Sequence, residues 1–91
     1  MKVVWSSVAR ENLKTAAGRV SPARRAAFRR RFYRDGRQLA RFPEFGRAVP
    51  EYELATIREL VQAPYRMFYE VQADRIEIIA LVHGARDLSA G

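Results

Sequence analysis

Ninety-one residues suffice for one domain, 1–91, but not for two, and 48% hydrophobic with 30% charged residues fits a folded chain better than a disordered tail. The lack of cysteine excludes a disulfide framework and a thiolate zinc site, and the longest aliphatic run, Ile78 to Val82, is far below the roughly 18 residues of a membrane span. With no secretory h-region at its start, the chain is expected in the cytoplasm with no membrane partner, and its net charge of +7 invites polyanions.

That charge is unevenly spread. Residues 1–47 hold 13 Lys or Arg against three acids, a balance of +10, whereas residues 48–91 hold four against seven, a balance of −3. DNA, RNA and an acidic protein segment would all reward the basic half, and so would plain solvation of an arginine-rich helix.

In chain order, Val3-Val4-Trp5 predicts a short strand, and Ser6-Ser7 offers N-cap hydroxyls to a helix over about residues 8–17 that Gly18 can end. Ser21-Pro22 restarts a helix, with serine as cap and proline at the first helical position. Phe28, Phe32 and Leu39 recur there at helical spacing, while Arg24, Arg25, Arg29, Arg30, Arg31, Arg34, Arg37 and Arg41 take most of the remaining arc. Gly36 weakens this helix by about 1 kcal/mol relative to alanine and marks a place for a kink or break. Phe42-Pro43 stops it. The next ten residues, PEFGRAVPEY, read as a turn-rich surface connection.

Three β-rich segments follow, Ala55 to Val61, Pro64 to Val71 and Arg75 to Arg86, with turns at Ala63-Pro64 and Gln72-Ala73-Asp74, which predicts a meander. Strict alternation in the last segment puts Ile76, Ile78, Ala80 and Val82 on one face and Glu77, Ile79, Leu81 and His83 on the other. Both faces are largely apolar, so this is a central strand. The fold class is α+β in the order β-α-α-β-β-β, with helices packed against the sheet.

The chemistry lies in a short list. His83 has no second histidine or cysteine beside which to hold a metal, and there is neither a Gly-rich phosphate loop nor a nucleophile with a base at motif spacing, so no metal and no cofactor is expected. Arg58, Arg66, His83 and Arg86 remain, with Glu51, Tyr65 and Tyr69 as neighbours. Such a set suits binding an anion or stabilising a phosphoryl transition state, because arginine forks match phosphate oxygens and histidine passes protons near neutrality. Each has a structural alternative. Arg58 can be a solvated charge at a sheet edge, Arg66 can lie over Phe68 or bridge to Glu70, His83 can be a hydrogen-bonded core residue, and Arg47 can anchor the connecting loop.

The ordered set Val4-Trp5-Ser6, Leu39, Phe42-Pro43, Gly46-Arg47, Val49-Pro50-Glu51, Ile57-Arg58-Glu59-Leu60, Pro64-Tyr65-Arg66, Tyr69 and His83-Gly84-Ala85-Arg86 resembles toxins of the RelE/ParE superfamily of bacterial type II toxin–antitoxin systems. The resemblance covers nearly the whole chain and implies a two-helix hairpin packed on a small antiparallel sheet. It also implies one of two activities. The RelE-like branch cleaves mRNA in the ribosomal A site, whereas the ParE-like branch is no nuclease and poisons DNA gyrase.

RelE-like toxins carry lysines on the second strand and a tyrosine or histidine-tyrosine pair near the tail. Here that strand carries Ile57, Glu59 and Val61, and the tail is Asp87-Leu88-Ser89-Ala90-Gly91, which departs from the nuclease pattern. Ile57-Arg58-Glu59-Leu60 with His83-Gly84-Ala85-Arg86 resembles the ParE-like branch. On that reading no catalytic residue is expected, and Arg58, Arg66, His83 and Arg86 form the surface that meets gyrase. On the alternative, the ribosome and mRNA are the target, and Glu51, Arg66, His83 and Arg86 are the nuclease residues. A third reading is an inactive or nucleic-acid-binding module. The resemblance further implies a toxin–antitoxin hetero-oligomer, with a flexible, often acidic antitoxin segment meeting Arg25, Arg29, Arg30, Arg34 and Arg37.

Overall fold

Ser6 stands between the first strand, β1 (Lys2–Trp5), and the first helix, α1 (Ser7–Gly18), in the computed structural model, which describes residues 1–54 and 56–84. Its backbone is extended and its Oγ accepts the Ala9 N–H at 3.0 Å, satisfying one of the donors that a helix start leaves without a partner. The same hydroxyl donates to the Ile79 carbonyl at 3.1 Å, and the Ser6 N–H donates to the Ile78 carbonyl at 2.9 Å. The cap therefore also fastens α1 to the last strand. Ala9, Leu13, Ala16 and Ala17 recur at helical spacing and are buried, and three of the four are small enough for α1 to lie close on the sheet.

The second helix does not begin on a serine cap. Pro22–Arg24 forms a 3-10 turn that runs into α2 (Arg25–Leu39), and Ser21 makes no side-chain capping bond. The proline-set φ favours a tight turn there without needing a cap. α2 runs unbroken through Gly36, which is buried beneath the Trp5 indole, and the Trp5 and Tyr33 rings meet edge-on at 5.1 Å. Burial against β1 offsets the low helix propensity of glycine.

The sheet has the order β1-β5-β4-β3-β2, with β2 (Arg47–Ala48), β3 (Ile57–Gln62), β4 (Tyr65–Val71) and β5 (Arg75–His83). Two expectations are corrected. The connection after α2 contains a short strand, because Arg47 and Ala48 come into register with Glu59 and Arg58. The sheet is mixed rather than wholly antiparallel, because the chain crosses over through both helices between β1 and the meander, so β1 joins β5 in parallel. The described part of the last strand ends at His83, and Arg86 lies outside the described residues.

The assignment of faces along β5 is corrected as well. Phe68 pairs with Ala80 and Tyr69 with Ile78, so Ile79 is an extra residue on β5, a β-bulge. The alternation shifts by one there. Ile76, Ile78 and Leu81 join Ala9, Leu13, Ala16, Phe32, Leu39, Met67 and Tyr69 in the core beneath the helices. Ile79, Ala80 and Val82 pack on the opposite face with Val49, Ile57 and Phe68. A single strand thus contributes to two cores, and the second is closed in part by Val49 from the segment after β2.

Candidate functional site

The sheet face opposite the helices carries a four-residue ionic network. Glu59 on β3 has a side chain with no exposed surface, and its Oε2 accepts from Arg66 Nε at 2.9 Å and Nη2 at 2.5 Å. Glu59 Oε1 accepts from Arg47 Nε at 2.7 Å. Arg66 then reaches Glu51 with its outer nitrogens, Nη1 to Oε2 and Nη2 to Oε1, each at 3.0 Å. The Arg66 guanidinium also lies over the Phe68 ring, 4.9 Å from its centre.

Strand geometry produces this arrangement. Glu59 pairs with Arg47 on one side and Phe68 on the other, while Arg66 and Phe68 are two residues apart on the same face of β4. The fork geometry of arginine lets one guanidinium serve two carboxylates. Hydrogen bonds to Glu51 and then Glu59 raise the Arg66 pKa above its ordinary value, so the cation is fixed. Two arginines and two glutamates leave the network with no net charge. Burial of Glu59 is tolerable because both its oxygens are bonded.

A second device holds the chain between α2 and β2. The Tyr69 hydroxyl, fully buried, donates to the Pro43 carbonyl at 2.8 Å and accepts the Gly46 N–H at 2.8 Å. Burial pushes the Tyr69 pKa up, against the opposing pull of the Gly46 hydrogen bond and of Arg58. A Cβ on Gly46 would stand 2.5 Å from the Glu59 carbonyl oxygen and 2.6 Å from the Tyr69 hydroxyl, so this close approach requires glycine.

The residues singled out from the sequence are divided by the sheet. Arg58 pairs with Tyr69 on the helix side and donates from Nη1 to the Gly46 carbonyl at 2.8 Å. His83 pairs with Tyr65, also on that side, and its ring meets Tyr65 edge-on at 5.5 Å. Arg66 is on the opposite face with Glu51. Of the set Glu51, Arg66, His83 and Arg86, hydrogen bonds among the described residues join Glu51 to Arg66, and Arg86 lies outside those residues. Arg66 does stack on Phe68, but it bridges to Glu51 and Glu59 rather than Glu70, and Arg47 does anchor its loop.

The helix arginines also divide. Arg25 turns back to the end of α1, where Nε donates to the Ala17 and Val20 carbonyls at 3.2 and 3.1 Å and Nη2 to the Gly18 carbonyl at 3.3 Å. It serves as a side-chain cap at the negative end of that helix. Arg31 docks on Gln62, which in turn donates to Asp35 at 2.6 Å. Arg29, Arg30, Arg34 and Arg37 are exposed. Beyond the end of α2, the exposed rings of Phe42 and Phe45, with Met1, Pro43 and Val71, line an open groove of about 620 Å³. Sequence reading missed Glu59 as the centre of the network, Tyr69 as a lock and Arg25 as a cap. A glutamate sharing a strand face with Ile57 and Val61 was the available signal for the first.

No helix among the described residues is long and apolar enough to cross a membrane, and no cluster of three or more metal-ligating side chains occurs among them. Compared by sequence with curated proteins, the chain matches none. Its fold is similar to that of a solved structure of the chromosomal ParDE toxin–antitoxin system of P. aeruginosa, with a TM-score of 0.74 at 17% identity, covering 91% of this chain and 95% of the other. It is also similar to a chain of the RelBE2 toxin–antitoxin complex of Mycobacterium tuberculosis, with a TM-score of 0.62 at 22% identity, covering 90% of this chain and 95% of the other. A model of the ParE toxin of type II toxin–antitoxin systems matches residues 3–88, and the chain belongs to that family.

Proposed function

We propose that this chain is a toxin that inhibits DNA gyrase and blocks replication without cleaving RNA, and that a cognate antitoxin neutralises it. The observation that carries this reading is the self-neutral network on the open sheet face. A nuclease needs cationic groups free to meet a scissile phosphate, whereas Arg66 is held by two carboxylates and Arg47 by one. A phosphate could bind there only by displacing Glu59 or Glu51 from those guanidinium groups. Family membership and the ParDE-like fold point the same way.

On this reading the toxin meets its target by contact rather than by covalent chemistry, and Arg58 and His83, which share the helix side of the sheet, belong to a different face from Arg66. The antitoxin would lie over the exposed arginines Arg29, Arg30, Arg34 and Arg37, steered by charge, and the apolar groove at Phe42 and Phe45 would supply anchors that the arginine arc lacks. Arg25, engaged with α1, contributes less.

One observation favours the alternative, a ribosome-dependent mRNA endoribonuclease: Glu51 and Arg66, a base and a phosphate ligand on that reading, are in contact. Supercoiling by purified gyrase separates the two. Inhibition that saturates with added protein supports the proposal, and undiminished supercoiling at saturating protein sinks it.

A further inference from the structure

Between the C-terminal half of α1 and the ends of β4 and β5 lies a cleft of about 210 Å³, on the helix side of the sheet and away from the Arg66 network. Its polar walls are Asn12, Thr15 and Arg19, successive turns of one helix face, with Tyr65 and His83 opposite. Among the described residues that line it there is no carboxylate, every ionisable group is a cation, a histidine or a phenol, and Arg19 makes no ion pair.

We propose that this cleft binds a single phosphate-sized oxyanion, with Arg19 as its charged ligand and Asn12, Thr15 and His83 as further donors. Its volume falls below the roughly 300–1,000 Å³ of pockets for drug-sized ligands, which suits one tetrahedral anion rather than a whole nucleotide. The walls are set in advance. Asn12 Oδ1 accepts the Leu81 N–H at 3.1 Å, which orients the amide and leaves its NH2 as the group able to donate. Tyr65 is wedged edge-on between Phe28, Phe32 and His83, so that side of the cleft is rigid. The end of α1 alone would disfavour an anion, since its carbonyls carry the negative end of the helix dipole. Arg25 answers that by bonding the Ala17, Gly18 and Val20 carbonyls, which leaves the charge of Arg19 for a ligand. An oriented amide and a rigid aromatic wall beside an exposed arginine match the demands of a phosphate, whose oxygens accept from a guanidinium fork.

The ligand could be inorganic phosphate or the phosphate of a nucleic acid, and the same experiment distinguishes them. The full chain, labelled with 15N, is titrated separately with inorganic phosphate, a 5′-mononucleotide and dimethyl phosphate as a backbone diester. Saturable amide shifts confined to Asn12, Thr15, Arg19 and the Leu81–His83 stretch are expected. The monoesters alone acting would indicate a free or terminal phosphate, and dimethyl phosphate acting as well would indicate a backbone diester. R19Q should weaken binding about ten-fold or more, the loss of one charge-assisted contact, and T15V less. Thr15 is exposed on α1 and Arg19 is exposed just beyond its end, and an unchanged spectrum away from the cleft verifies that both variants fold. No saturable shift with any probe, or shifts spread over the arginines of α2 and unaltered by R19Q, would overturn the proposal. The cleft shares His83 with the residues named for the target, but the titration and R19Q are read without gyrase, so failure of this proposal is distinguishable from failure of gyrase inhibition.

Discussion

Arg66 and Glu59 meet two-to-one, with Arg66 Nε and Nη2 both donating to Glu59 Oε2, while the outer edge of the same guanidinium holds Glu51. The contact joins β3 to β4 and ties the segment after β2 to the sheet. It makes Arg66 a structural residue before any role toward a partner.

Replacing Arg66 with methionine should therefore cost about 3–5 kcal/mol, because Glu59 is left buried with only Arg47 to compensate it. Glu51→Gln should cost at most about 1 kcal/mol, since a neutral acceptor remains at a partly exposed position. Urea unfolding of both variants checks the order. Equal losses would mean that Glu51 and not Glu59 anchors the guanidinium.

Tyr69 predicts an alkaline limit. Its pKa is raised in the folded chain above the value of about 10 that an unfolded tyrosine has. The stabilisation is therefore complete below about pH 10 and is lost as pH rises toward and through the folded value. Thermal unfolding from pH 8 to 11 should show a falling midpoint, and Tyr69→Phe should flatten that fall. The same variant should cost about 1–3 kcal/mol at neutral pH, because the buried Gly46 N–H loses its acceptor.

Two glycines should respond with opposite signs. At Gly36 a Cβ would meet the Trp5 indole at 3.5 Å, ordinary contact, so Gly36→Ala should stabilise α2 by up to about 1 kcal/mol. At Gly46 the added carbon would collide with the Glu59 carbonyl, so Gly46→Ala should destabilise by about 1–3 kcal/mol. Denaturation midpoints of the two variants should lie on either side of the parent.

The arginines of α2 should separate by role. Arg25→Met removes three hydrogen bonds to the end of α1 and should lower stability by about 1–2 kcal/mol. Reversing Arg29, Arg30 and Arg34 to glutamate should leave stability nearly unchanged, slow antitoxin association and weaken its dependence on salt. Stopped-flow association at several ionic strengths provides the readout. Unchanged rates would mean that the arc is only solvated surface.

Much of this fold is legible in the sequence, for identifiable reasons. Ser6 before an apolar helical period and three β-rich runs split by Ala63-Pro64 and Gln72-Ala73-Asp74 each match the element that forms. The bulge is not legible, because IIALV offers an apolar side chain at every position and period two has nothing to contradict it. β2 is not legible either, since a strand of two residues exists only through the register of Arg47 with Glu59. The candidate site fared less well. Arg58, Arg66 and His83 look alike as polar residues on short strands, and only the pairing divides them between the two faces. Arg25 has neighbours identical to itself, and its selection as a helix cap depends on where the end of α1 lies in space.

Gyrase and not mRNA is the target we propose for this toxin. Expressing it from a tightly controlled promoter and assaying the arrested cells for gyrase–DNA cleavage complexes and for translation-dependent mRNA cuts tests that most directly. Cleavage complexes with an early SOS response and intact mRNA are the expected result. Cuts at ribosomal A sites that disappear on mutation of Arg66 or His83, without cleavage complexes, would contradict it.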